Sequence, residues 1–130
     1  MSRTAVLAFR AAFVVLLALA TWLSLTPSPI QVGPSDKLDH LAAYYVLALA
    51  ADFAFPAAGF YLLKALPLFA YGVLMEVLQH YVPGRSAEAT DAVADAAGIL
   101  LFAASVPVLK RVPLLGVRWR AKTPPAPEAS

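Results

Sequence analysis

Three groups of polar residues recur at helical spacing in an otherwise apolar chain. Asp36, His40 and Tyr44 are four apart. Glu76, Gln79 and His80 are three and four apart. Asp91 and Asp95 are four apart, and Gly98 continues their face. On a helix, residues three and four apart share one side. Carboxylates and imidazoles so placed can exchange protons near neutral pH. Arg85, in the Pro83-Gly84-Arg85-Ser86 turn, can clamp a phosphate or carboxylate with its planar fork. The same groups can instead form a hydrogen-bond and ion-pair network that only holds helices together. Glu76 and His80 have the i, i+4 spacing of metal ligands, but a His-Glu-x-x-His pattern is lacking, so no metal site is expected. Neither Ser35 nor Ser86 has a nucleophile-elbow motif. No cofactor is expected.

The elements that position these residues follow from composition. The chain has 130 residues, of which 61% are hydrophobic and 14% charged, and its mean hydropathy is +0.72. A soluble domain carries about 25% charged residues. Four apolar stretches cover about 5–25, 38–55, 60–81 and 90–109. Each is close to the roughly 20 residues that cross a bilayer core. Pro27, Pro29, Pro56 and Pro83 punctuate them, because proline lacks the N–H a helix interior needs. A soluble bundle would show a polar face every 3.6 residues, and Phe13-Val14-Val15-Leu16-Leu17-Ala18-Leu19-Ala20 has none. The expected fold is all-α, an integral membrane bundle of four helices over 1–110. The tail, 111–130, is basic and then rich in Pro and Ala, and is expected to be disordered. Ala18-Leu19-Ala20 resembles a signal-peptidase site, but the apolar run continues to Leu25, so an uncleaved helix is expected. There is no cysteine, which excludes disulfides and thiolate metal ligands.

Charge orients the bundle. With both termini in the cytoplasm, Arg3, Arg10, Lys64, Lys110, Arg111, Arg118, Arg120 and Lys122 lie inside, and only Lys37 and Arg85 lie outside. That asymmetry is the positive-inside pattern. Because the bases flank apolar spans, they indicate topology rather than nucleic-acid binding. The same orientation collects Asp36, Asp39, Glu76, Glu88, Asp91 and Asp95 at the external ends, with His40, Gln79, His80, Arg85 and Ser86. Ionisable groups avoid lipid, so the three stripes are expected to face one another around an external pocket. Arg85 is expected to reach back to a carboxylate. Asp52 is the exception, near the cytoplasmic end, and Arg10 is its expected partner. Lys64 is expected to snorkel to the interface, and Gly98 to allow close helix contact.

These blocks resemble a known family. Asp36-Lys37-Leu38-Asp39-His40-Leu41-Ala42-Ala43-Tyr44 resembles the D-K-x-x-H-x-x-x-Y signature of the VanZ-like family. Glu76-Val77-Leu78-Gln79, followed by Pro83-Gly84-Arg85-Ser86, is similar to its E-x-x-Q and P-G-R-S block. Asp91 to Gly98 is similar to its D-x-x-x-N-x-x-G block, with Asp95 standing where the family has asparagine. The three blocks occur in order across about 20–105. The resemblance implies a small multi-pass protein of the bacterial cytoplasmic membrane, in a family named for a protein associated with teicoplanin resistance. It carries over Asp36, Lys37, His40, Tyr44, Glu76, Gln79, Arg85, Ser86, Asp91 and Asp95 as site residues.

Two functions are consistent with this pattern. In the first, the chain binds or modifies a lipid-linked or cell-wall intermediate at the outer leaflet. His40, Glu76 and Asp91 are then the candidate catalytic residues, with Asp36, Lys37, Tyr44, Gln79, Arg85, Ser86 and Asp95 as binding residues. In the second, it is a non-catalytic accessory that assembles with another membrane protein. Transport is disfavoured, since the polar groups occupy one end only and form no continuous path.

Overall fold

A computed structural model describes residues 1–27, 31 and 33–120. The described residues form helices and turns without strands. The long helices are α1 (Arg3–Leu25), α2 (Asp36–Ala54), α3 (Leu66–Gln79) and α4 (Ala89–Leu109). A short α5 (Pro113–Gly116) and a 3-10 turn (Val117–Trp119) follow. Ser2 caps α1 by accepting from the Ala5 N–H, and Ser35 caps α2 by accepting from the Leu38 N–H. Such caps satisfy donors that a helix start leaves orphaned. Acidic residues fall in the first turns of α2 and α4 (Asp36, Asp39 and Asp91), where the helix dipole favours negative charge.

The third stretch does not begin as an α-helix. Tyr61–Ala65 form a π-helical turn that runs into α3, and the Leu66 N–H reaches the Tyr61 carbonyl. Pro67 accounts for the widening, since it cannot donate to the turn before it and its ring crowds the carbonyl four residues back. The Gly84 backbone, with φ +79°, takes the left-handed conformation that favours glycine. A Cβ there would lie 3.0 Å from the Pro27 carbonyl, so the loops before α2 and before α4 meet at one end.

Contacts between helix ends give an up-down-up-down path. The Gln79 amide at the end of α3 donates to the Ser24 carbonyl at the end of α1, at 2.9 Å. The Arg10 Nε near the start of α1 donates to the Ala54 carbonyl at the end of α2, at 3.0 Å. Packing is centred on α2, which lies against α1 and α4. Its buried residues include Tyr44, Leu47, Ala48, Ala51 and Phe53. Phe102 of α4 is fully buried, with the rings of Tyr45 at 5.8 Å and Phe60 at 5.4 Å.

Among the described residues, three helices are long and apolar enough to cross a membrane: Arg3–Leu25, Tyr61–Gln79 and Ala89–Leu109. Four were expected. The exception, α2, carries Asp36, Lys37, Asp39, His40 and Asp52, which lower its hydropathy. Its charges lie at its exposed start, apart from Asp52, which sits in the half of α2 that the other helices cover. By contrast α1 buries no residue, and Leu62, Leu74, Val93 and Leu100 stand exposed on the other two. Apolar surface of that extent marks a contact with lipid or protein rather than water.

Gly98 does bring two helices together. A Cβ built there would collide with the Leu41 carbonyl oxygen and lie 3.0 Å from the Tyr45 backbone nitrogen. Backbone cannot swing aside as a side-chain tip can. Gly98→Ala is therefore expected to push α4 off α2 and to cost about 1–3 kcal/mol, the usual range for overpacking. Thermal unfolding in detergent measures it; an unchanged melting temperature would refute this contact.

Two expectations at the far end need correction. Asp52 is not paired with Arg10. It accepts from the Lys64 Nζ at 2.5 Å and from an Arg118 terminal nitrogen at 3.1 Å. Lys64 does not snorkel: only 3% of it is exposed. The π turn directs it inward to Asp52, which is itself buried. The expectation of disorder for 111–130 also meets structure in its first part. Arg118 Nε donates to the Asp52 carbonyl at 2.8 Å, and the Trp119 ring stacks edge-on against Phe53 at 5.5 Å. The charge partner in α2 and the aromatic contact hold this segment down. Residues 121–130 lie outside those described.

Candidate functional site

The site lies at the other end, where α2, α3 and α4 converge. The α2 stripe descends into the bundle: Asp36 is exposed, His40 half-buried and Tyr44 buried. Opposite it, Asp91 and Asp95 of α4 are buried, at 4% and 1% exposure. His40 Nδ1 lies 2.8 Å from Asp95 Oδ1. A carboxylate in that position accepts Nδ1–H, fixes the ring and leaves Nε2 for another partner. Asp95 is seated by a glycine of α3, for a Cβ on Gly72 would lie 2.8 Å from Asp95 Oδ2 and 3.1 Å from the Tyr44 hydroxyl.

Glu76 enters from α3. Both of its carboxylate oxygens are buried, and neither makes a well-formed hydrogen bond with a described residue. Buried polar atoms in folded proteins are nearly always paired, so this group marks the centre of the site. One ligand atom each from His40, Glu76 and Asp91 lie within 4.8 Å of one another. Beside them is a pocket of about 450 Å³ between α3 and α4, lined by Glu76, His80, Glu88 and apolar residues including Val73, Val77 and Ala92.

Lys37 takes the role that the sequence suggested for Arg85. Its Nζ contacts Asp91, lies 3.0 Å from Glu88 Oε2 and 3.4 Å from Asp36 Oδ2. It thus ties the first turn of α2 to the start of α4. The Arg85 guanidinium makes no ion pair with another described residue; Arg85 is half-buried in its loop, and Ser86 is exposed. The expected arginine–carboxylate pair is replaced because Lys37 stands one residue from the stripe and already faces α4. Gln79 does not join the site either, since it turns to the end of α1. His80 is exposed at the pocket rim. Asp39, in the first turn of α2, accepts from the Gly33 N–H at 2.6 Å and ties the preceding loop to the helix.

The Lys37 ammonium holds the exposed Glu88 carboxyl below its ordinary value of 4.5. A depressed carboxylate contributes stability above its unfolded pKa, and that contribution is lost as pH falls through the folded value. The Lys37–Glu88 contact is therefore expected to persist at pH 5 and to open below the ordinary carboxylate range. In Lys37→Met, carboxyl NMR of Glu88 should return to an ordinary titration. An unchanged Glu88 titration would contradict the contact.

Sequence reasoning missed several residues. Lys64 and Asp52 each interrupt an apolar run, and two opposite charges at matching depth were a readable signal. Gly72, which seats Asp95, had only its small size to mark it. Arg118 had none, because its role depends on where the tail folds.

The geometry defines an all-helical protein with helices fit to cross a membrane and a polar centre at one end of the bundle. No family model, curated protein or solved structure matches the chain.

Proposed function

We propose that the chain is a VanZ-like, multi-pass protein of the bacterial cytoplasmic membrane, and that its polar centre opens on the extracytoplasmic side. There it binds or modifies the polar head of a lipid-linked or cell-wall intermediate. The observation that carries this reading is Glu76: a carboxyl with two buried oxygens that make no well-formed hydrogen bond with a described residue, beside His40 and Asp91 and next to a pocket with apolar walls. An amphiphile suits such a pocket, since its head can meet the carboxyls while its tail lies along exposed Val73 and Val77. The Asp95–His40 pair supports acid–base work, because an oriented imidazole presents its second nitrogen as donor or acceptor. The excess of basic residues at the opposite end supports the orientation, with α2 as a fourth, shielded crossing.

The test is a profile of lipids and cell-wall precursors in a deletion strain against wild type. Accumulation or loss of one lipid-linked species, restored by the wild-type gene and not by His40→Ala, is the expected result. Teicoplanin susceptibility of the same strains tests the phenotype that the resemblance implies. An unchanged profile would remove the reading.

A further inference from the structure

We propose that His40, Glu76 and Asp91 bind one divalent first-row transition metal ion, of the Zn²⁺ or Mn²⁺ type. This goes beyond the reading above and holds whether or not the natural ligand is lipid-linked. The three residues come from three different helices, yet their ligand atoms fall within 4.8 Å of one another. Ligand atoms at about 2.1 Å from a tetrahedral ion are separated by about 3.4 Å. Closing the remaining gap needs side-chain rotation, not helix movement.

Two further observations point to a cation. Both Glu76 oxygens are buried and make no well-formed hydrogen bond with a described residue; a metal ion would supply a partner. His40 is also prepared as a ligand, because Asp95 Oδ1 lies 2.8 Å from Nδ1 and leaves Nε2 free. A carboxylate behind a histidine ring is the usual support of a metal-bound imidazole. Asp91 keeps Oδ2 available while Oδ1 meets Lys37. One nitrogen and two oxygens, without sulfur, fit zinc or manganese better than soft ions. Three protein ligands leave room for water or a ligand oxygen, and the pocket beside Glu76 provides that room.

The experiment uses the full chain in non-ionic detergent, stripped with chelator. Mn²⁺ is titrated and free ion is followed by its EPR signal, and Zn²⁺ is then added as competitor. One Mn²⁺ per chain is expected, displaced by Zn²⁺ in line with the usual order of affinities. Glu76→Gln and Asp91→Asn should each weaken binding at least tenfold, by loss of a ligand. Asp95→Asn should weaken it by about 10–100-fold, the range seen for outer-shell partners. His80→Ala should bind as wild type does. Circular dichroism checks that each variant keeps its helix content, and Glu76→Gln and Asp91→Asn are independent enough that one misfolded variant leaves the other decisive. Absence of stoichiometric binding to folded wild type would overturn the proposal. So would unchanged affinity in folded Glu76→Gln or Asp91→Asn. A metal site with an unchanged precursor profile would refute the lipid reading alone.

Discussion

Glu76→Gln is expected to abolish the cellular function of this protein without unfolding it. The substitution keeps shape and hydrogen-bonding size but removes the ability to bind and release a proton or to hold a cation as an anion. Loss of a positioned acid or base lowers a rate by about 10²–10⁴-fold, and loss of a ligand disables a metal centre. Stability should move the other way. A carboxyl whose two buried oxygens make no well-formed hydrogen bond with a described residue is a liability to the fold, since a poorly satisfied buried group keeps much of its desolvation penalty. Glutamine carries no charge and lowers that penalty. The expected pair of results is failed complementation of a deletion strain and a melting temperature at or above that of wild type. A variant that complements fully would remove Glu76 from the mechanism. One that fails to complement and also unfolds would make its role structural.

The second large effect lies at the opposite end. Lys64→Met should destabilise the bundle by up to about 3 kcal/mol, the lower end of what a buried charge with no partner costs. Asp52 would keep Arg118, but Arg118 comes from the short segment after α5 and would have to hold Asp52 alone. Methionine fills most of the space, so the loss is electrostatic. The double variant Asp52→Asn, Lys64→Met should recover part of the stability, because no buried carboxylate is left unpaired while the main-chain carbonyl at position 52 still accepts from Arg118. Denaturant unfolding in detergent distinguishes the cases. Equal stability of wild type and Lys64→Met would mean that the ion pair adds nothing.

The sequence showed some of this and hid the rest, for physical reasons. Helical periodicity placed Asp36, His40 and Tyr44 on one stripe and Asp91, Asp95 and Gly98 on another, and these stripes do meet, through His40 and Asp95 and through the close approach at Gly98. Periodicity says which residues share a face, and ionisable groups seek the interior, so little else was needed. It failed where two neighbours on one helix part company. Gln79 turns to α1 and Glu76 to α4, although they are three apart. It failed again for Lys37 and Arg85, because the choice between two cations depends on loop length and reach. Hydropathy counted α2 as a fourth span, whereas its charged residues keep it out of the three helices apolar enough to cross a membrane. The disorder expected after residue 110 overlooked Arg118 and Trp119, whose partners lie some sixty residues earlier.

In the proposed topology the end of the bundle that holds His40, Glu76 and Asp91 faces away from the cytoplasm. The chain has no cysteine, so single substitutions give an unambiguous reading. Ala87→Cys lies in the loop beside the pocket, and Arg111→Cys lies beyond α4; both positions are exposed. Intact cells are treated with a membrane-impermeant maleimide. Ala87→Cys is expected to label in whole cells, and Arg111→Cys only after the membrane is opened. Labelling of both from outside, or the reverse pattern, would contradict that topology.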